Sequence, residues 1–195
     1  MLTENELIKF RRELHSYPET GWCEFVTTHK IVEKLRSFGL DPIYGRQVIN
    51  PEFVAGRNPA KVEEAKKAAL EKGVPPEFIE SMQGYTGVAA IFETGRPGPV
   101  LAIRFDMDCV DVDEAHEAGH RPFDEGWAST NPGHMHSCGH DGHTTMGIAV
   151  CNWIQENLDQ FCGTIKVVFQ PAEEGVRGAR PMTETGIFDD VDFFF

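Results

Sequence analysis

The chain has 195 residues, with 18 basic and 31 acidic side chains and a formal net charge of -13. That balance argues against nucleic acid or an anionic membrane surface as the partner, since both are held by clustered cations. With 41% hydrophobic and 25% charged residues, the composition is that of a globular protein, long enough for one domain with a core or a domain plus a fragment. No window approaches the roughly 18 uninterrupted apolar residues of a membrane span. The cysteines at 23, 109, 138, 151 and 162 form an odd set without a CxxC pair, and the N-terminus is charged and amphipathic where a signal peptide would be apolar. A reducing, cytoplasmic setting is therefore expected.

In chain order, Leu7, Ile8, Phe10 and Leu14 fall at helical spacing within residues 3–17, and Thr3 with Glu6 forms a capping box. Pro18 and Gly21 break that helix. A second helix is expected over 25–38, with Val26, Ile31, Val32 and Leu35 as its buried stripe and Gly39 at its C-terminal end. Residues 50–84 shift to Ala, Lys, Glu and Pro and read as a helical insertion, a solvated surface excursion with a charged helix at 60–70. Residues 86–94 and 99–105 are short apolar, β-leaning runs, and Gly95-Arg-Pro-Gly98 reads as a turn joining neighbouring strands. Met146, Ile148, Ala149, Val150, Trp153 and Ile154 mark a largely buried helix, residues 164–169 a further strand, and residues 178–186 a small helix. Val191 to Phe195 reads as a buried strand cut off in progress, so the chain is expected to be incomplete at its C-terminus. The alternation of helices and strands predicts an α/β fold, a three-layer sandwich with a mostly parallel central sheet.

The chemistry concentrates in residues 134–145, which hold four of the eight histidines. Cys138 and His140, separated by a glycine, can point at one ion, and a thiolate with an imidazole favours a transition metal over Mg²⁺ or Ca²⁺. The downstream helix would place its N-terminal dipole at Cys138. Asp106 and Asp108 follow one strand, and Glu173 and Glu174 follow the next, where ligand sites form in sheets flanked by helices. One of two adjacent glutamates can bind an ion while the other serves as a base toward water. Together these residues make the inventory of a hydrolytic metal site. A structural zinc site would need four closed Cys/His ligands and would leave the acidic residues without a role.

Arg104-Phe-Asp-Met-Asp108, His136-Ser-Cys-Gly-His-Asp-Gly-His143 and Phe169-Gln-Pro-Ala-Glu-Glu-Gly175 resemble the three motifs of the metal-dependent amidohydrolases within the M20 peptidases, the group of hippurate hydrolase and the auxin-conjugate hydrolases. Arg11-Arg-Glu-Leu-His15 and Pro18-Glu-Thr-Gly21 resemble that family's N-terminal signature. Gly21-Trp22, the insertion before Tyr85, Thr94 to Val100 and His120-Arg-Pro122 are similar to its aminobenzoyl-glutamate hydrolase branch. The resemblance implies Cys138, His140 and Glu174 as metal ligands, Glu173 as general base, and one of Asp106 and Asp108 as the carboxylate that orients a metal-bound imidazole. His136 and His143 are read as residues that shape the loop or support the ligands. Two Mn or Zn ions are implied in the complete protein. The implied reaction is cleavage of an aromatic acyl–amino acid amide, foremost N-(4-aminobenzoyl)-glutamate in folate catabolism, with other N-acyl amino acids as alternatives. A homo- or hetero-oligomer with a related subunit is also implied. On this reading residues 1–195 are the N-terminal part of the catalytic domain. The dimerisation domain and the later ligand histidines are absent, so the isolated chain is expected to bind metal weakly and turn over little. The competing reading is a non-catalytic fragment or binding module that keeps the fold.

Overall fold

The computed structural model describes residues 1–195. Helix α1 (Glu4–His15) starts with the expected capping box: the Thr3 hydroxyl accepts from the Glu6 N–H, and the Glu6 carboxylate accepts from the Thr3 N–H. Helix α2 (Phe25–Arg36) buries Phe25, Val26, Ile31, Val32 and Leu35. Strand β1 (Ile43–Tyr44) precedes the insertion, which contains α3 (Pro59–Glu71), capped by the Asn58 side chain, and α4 (Pro76–Ser81). Strands β2 (Val88–Glu93) and β3 (Val100–Asp106) follow, then the short α5 (Arg121–Asp124) and the long α6 (His140–Glu156). Strand β4 (Thr164–Gln170), α7 (Ala179–Thr183) and β5 (Phe193–Phe194) complete the chain. No helix is long and apolar enough to cross a membrane.

The five strands form one sheet in the order β1-β2-β4-β3-β5. Strand β3 runs parallel to both β4 and β5, while β2 is antiparallel to β4 and to β1, so every strand except β2 points the same way. Helices α1, α2 and α6 pack together on one face. The other face carries the segment 179–190, to which Lys166 is tied through the Ile187 carbonyl at 2.7 Å. This is the α/β sandwich expected from the alternation of elements. Its core includes Trp22, Phe25, Leu35, Phe92, Phe169 and Ile148, all fully buried. Each such side chain contributes roughly 1.5–3 kcal/mol by leaving water.

Four local expectations are corrected. First, β2 and β3 are joined by Gly95–Gly98 but are not neighbours, because β4 lies between them. The connection instead wraps the start of β4: the Thr94 N–H donates to the Gly163 carbonyl, and the Gly163 and Thr164 N–H groups donate to the Arg96 and Pro99 carbonyls. Gly163 has φ +76, and a Cβ there would overlap the Pro99 carbonyl and lie 2.7 Å from the Gly98 carbonyl carbon. Gly163→Ala is therefore expected to destabilise the chain by more than about 1 kcal/mol, read as a lower midpoint in urea unfolding. An unchanged midpoint would mean that this crossing is not tight.

Second, the insertion is not merely a solvated excursion. Val62, Ala69, Val74, Phe78, Ile79 and Met82 are buried in the main core, because Val62 and Ala69 repeat at helical spacing beneath the charged outer face. Third, Met146 and Trp153 on α6 are 55% and 49% exposed. The buried stripe runs instead through Thr144, Gly147, Ile148, Cys151 and Ile154, a narrower face than hydrophobicity alone suggested. Fourth, Phe193, Phe194 and Phe195 are exposed rather than buried, since β5 is an edge strand flanked only by β3.

Candidate metal centre

Parallel pairing sets Asp106 at the end of β3 opposite Gln170 at the end of β4, so both strands stop at one level. The segments that continue from them carry Asp108 on one side and Glu173 and Glu174 on the other. A third contribution comes from α6, whose first residue is His140. Gly139 precedes it with φ +87, a left-handed conformation open to glycine, and so turns Cys138 back beside His140. The ligand atoms of Cys138, His140 and Glu174 lie within 4.8 Å of one another. A thiolate, an imidazole and a carboxylate at that separation suit a transition metal.

Asp108 ties the three together. Its carbonyl accepts from His140 Nδ1 at 3.0 Å and faces Cys138 Sγ at 3.8 Å. Its Oδ1 lies 3.3 Å from His140 Nδ1, and its Oδ2 accepts from the Glu174 N–H at 3.1 Å. With Nδ1 engaged, Nε2 is the nitrogen of His140 left for an ion. Burial opposes the charged form of His140, but the hydrogen bonds to Asp108 and Cys138 outweigh it and raise the pKa to about 11. A ligand imidazole is neutral, so metal uptake competes with that proton. Glu173 stands beside this group, its Oε2 3.8 Å from His140 Nε2, with a side chain 35% exposed.

Asp106 has different partners. Its Oδ2 is 3.1 Å from His143 Nδ1 and its Oδ1 is 3.1 Å from Arg104 Nη1. Of the two aspartates left open by the sequence, Asp108 therefore contacts the imidazole of the cluster, and Asp106 holds His143. His136 is buried and neither ring nitrogen has a hydrogen-bond partner; burial lowers its pKa to about 4, so it is neutral.

Residues 102–195 match the model of peptidase family M20/M25/M40. The chain belongs to the M20 peptidases. Among curated M20 relatives, it is 48% identical to a Haemophilus influenzae homolog of one subunit of p-aminobenzoyl-glutamate hydrolase, over 97% of this chain and 45% of that protein. An aminobenzoyl-glutamate utilization protein from Klebsiella pneumoniae superposes with a TM-score of 0.78 at 34% identity, covering 97% of this chain and 42% of that one. A Bacillus subtilis protein described as a dinuclear metal-binding M20 peptidase superposes with a TM-score of 0.71 at 29% identity, covering 98% and 42%. The chain thus spans less than half the length of these M20 relatives.

Two features of this M20 site were not read from the sequence. Glu24 is fully buried and accepts from the Ala172 N–H at 2.8 Å and the Thr86 hydroxyl at 2.7 Å. Burial, reinforced by the charge of Asp108, raises its pKa to about 8. Its only sequence signal is an acid set between Cys23 and Phe25 at the start of an amphipathic helix. The second feature explains the N-terminal signature. His15 bridges Asp141 (2.9 Å) and Glu114 (3.1 Å), His120 reaches the same Glu114 oxygen at 2.8 Å, and Arg11 donates to Asp141 at 3.1 Å. This network fastens α1 and the loop after β3 to the residue next to His140.

Proposed function

We propose that this chain is the N-terminal part of the catalytic domain of a metal-dependent amidohydrolase, with an insertion at about 50–84, that cleaves an aromatic acyl–amino acid amide. The convergence of Cys138, His140 and Glu174 with Glu173 alongside carries the reading. The donor chemistry fits a divalent transition ion, Mn or Zn, with Cys138, His140 and Glu174 holding it and two ions in the complete protein. Such an ion supplies Lewis acidity toward a carbonyl and a more acidic water. Glu173, outside the ligand set, takes the proton of the attacking water on its carboxylate and passes it to the departing amide nitrogen. Asp108 keeps the His140 ring oriented through Nδ1. The proposed substrate is N-(4-aminobenzoyl)-glutamate, supported by the names of the relatives, and the proposed assembly is a homo- or hetero-oligomer with a related subunit. All five cysteines are free, which supports a reducing, cytoplasmic location.

The test is release of 4-aminobenzoate from N-(4-aminobenzoyl)-glutamate by the complete metal-loaded polypeptide, beside hippurate as comparison. The expected result is a higher kcat/KM for the aminobenzoyl substrate. Faster hippurate cleavage would overturn the substrate, and no cleavage of either would overturn the proposed activity.

A further inference from the structure

The segment that carries Glu173 and Glu174 is a tight loop with unusual backbone. Ala172 and Val176 have φ of +49 and +58, and Trp22, buried against the same region, has φ +73. For residues with a Cβ these are costly conformations, held only where surrounding contacts fix them. The loop closes on itself through the Arg177 and Gly178 N–H groups, which donate to the Ala172 carbonyl at 3.2 and 2.9 Å.

One side chain joins this loop to the insertion. Arg177 Nε donates to the Glu174 carbonyl at 3.0 Å, and its Nη1 donates to the Gly56 carbonyl at 3.2 Å. Glycines border the guanidinium and its stem. A Cβ at Gly21 would lie 2.7 Å from Arg177 Nη2, one at Gly56 2.7 Å from Cδ, and one at Gly175 3.4 Å from Nε. At Gly21 it would also meet the Ala172 Cα at 2.9 Å. Nearby, Trp22 Nε1 donates to the Ala55 carbonyl at 2.9 Å, fixing the stretch of the insertion that presents Gly56. A planar guanidinium can serve two carbonyls in one fixed geometry, whereas a lysine ammonium is a single point on a flexible stem.

We infer that Arg177 is a positioning residue for the metal centre, a latch that spans Glu174 and Gly56 and sets the direction of the Glu174 carboxylate from the insertion. The inference rests on the proposed metal reading and adds a role for residues 55–57 that the reading does not require. Removing the latch releases the Glu174 backbone while leaving every ligand in place. The expected loss is that of a residue supporting a ligand, about 10-fold or more in metal affinity.

The experiment measures the affinity of this chain for Zn²⁺ alone, by competition with a chromophoric chelator, together with the melting temperature of the metal-free protein. Arg177→Ala is expected to weaken Zn²⁺ binding about 10-fold or more while the metal-free melting temperature moves by no more than about 4 °C. Arg180→Ala is the control, because Arg180 also touches the insertion, stacking over Phe53 at 4.8 Å, but makes no bond to Glu174; its Zn²⁺ affinity should be unchanged. Equal loss in both variants would reduce Arg177 to general docking and overturn the inference. So would unchanged affinity in Arg177→Ala. If that variant does not fold, Arg177→Lys decides: weaker binding in a folded protein supports the latch, and full affinity overturns it. An unmodified chain that binds no Zn²⁺ would overturn the metal reading and the latch with it; binding by the unmodified chain with no effect at Arg177 removes only the latch.

Discussion

Glu173→Ala in the complete polypeptide should lower turnover by about 10²–10⁴-fold, the range of general-base catalysis, while metal content stays close to that of the unmodified protein. The two effects separate because Glu173 and Glu174 are neighbours with different surroundings. Glu174 is in the ligand cluster and its N–H is fixed by Asp108. Glu173 stays outside that trio and is partly open to solvent, where water and substrate can reach it. Elemental analysis and steady-state rates on one preparation check both halves. A variant that keeps its rate would remove Glu173 from the chemistry, and one that loses its metal would make it a ligand.

Cys138→Ser should act in the opposite order, with metal lost first and activity following. A neutral hydroxyl is a far poorer donor than a thiolate to a soft or borderline ion. The loss should exceed the roughly 10–100-fold cost of altering a residue that merely supports a ligand. Competition with a chelator measures it. The substitution preserves shape, and Cys138 is only partly buried, so the metal-free fold should be little changed. Retained affinity in the serine variant would exclude Cys138 as a ligand.

The signals legible in the sequence were those with short range. The Thr3 capping box, the stripe on α2 and the apolar runs of β3 and β4 depend on residues a few positions apart, and the structure has them where periodicity placed them. Cys138 and His140 were legible because Gly139 explains their spacing. Strand order was not, because Gly163 lets β4 pass between two strands that a short turn connects, and nothing in residues 95–98 reports that. The division between Asp106 and Asp108 was likewise hidden: the two differ only in which distant partner each meets, His143 or His140. Glu24 and Arg177 look like ordinary surface charges in sequence. Their roles come from long-range approaches, Glu24 to Ala172 and Arg177 to Gly56.

The most direct measurement is the metal content of the purified 195-residue chain, prepared without chelator and analysed for transition elements. Cys138, His140 and Glu174 already lie together in this chain, so Mn, Zn or a related ion should be present and should be removed by a chelator without unfolding the protein. A folded chain free of metal, and unable to take up Zn²⁺ or Mn²⁺ when supplied, would contradict the assignment of these three residues as a metal-binding centre.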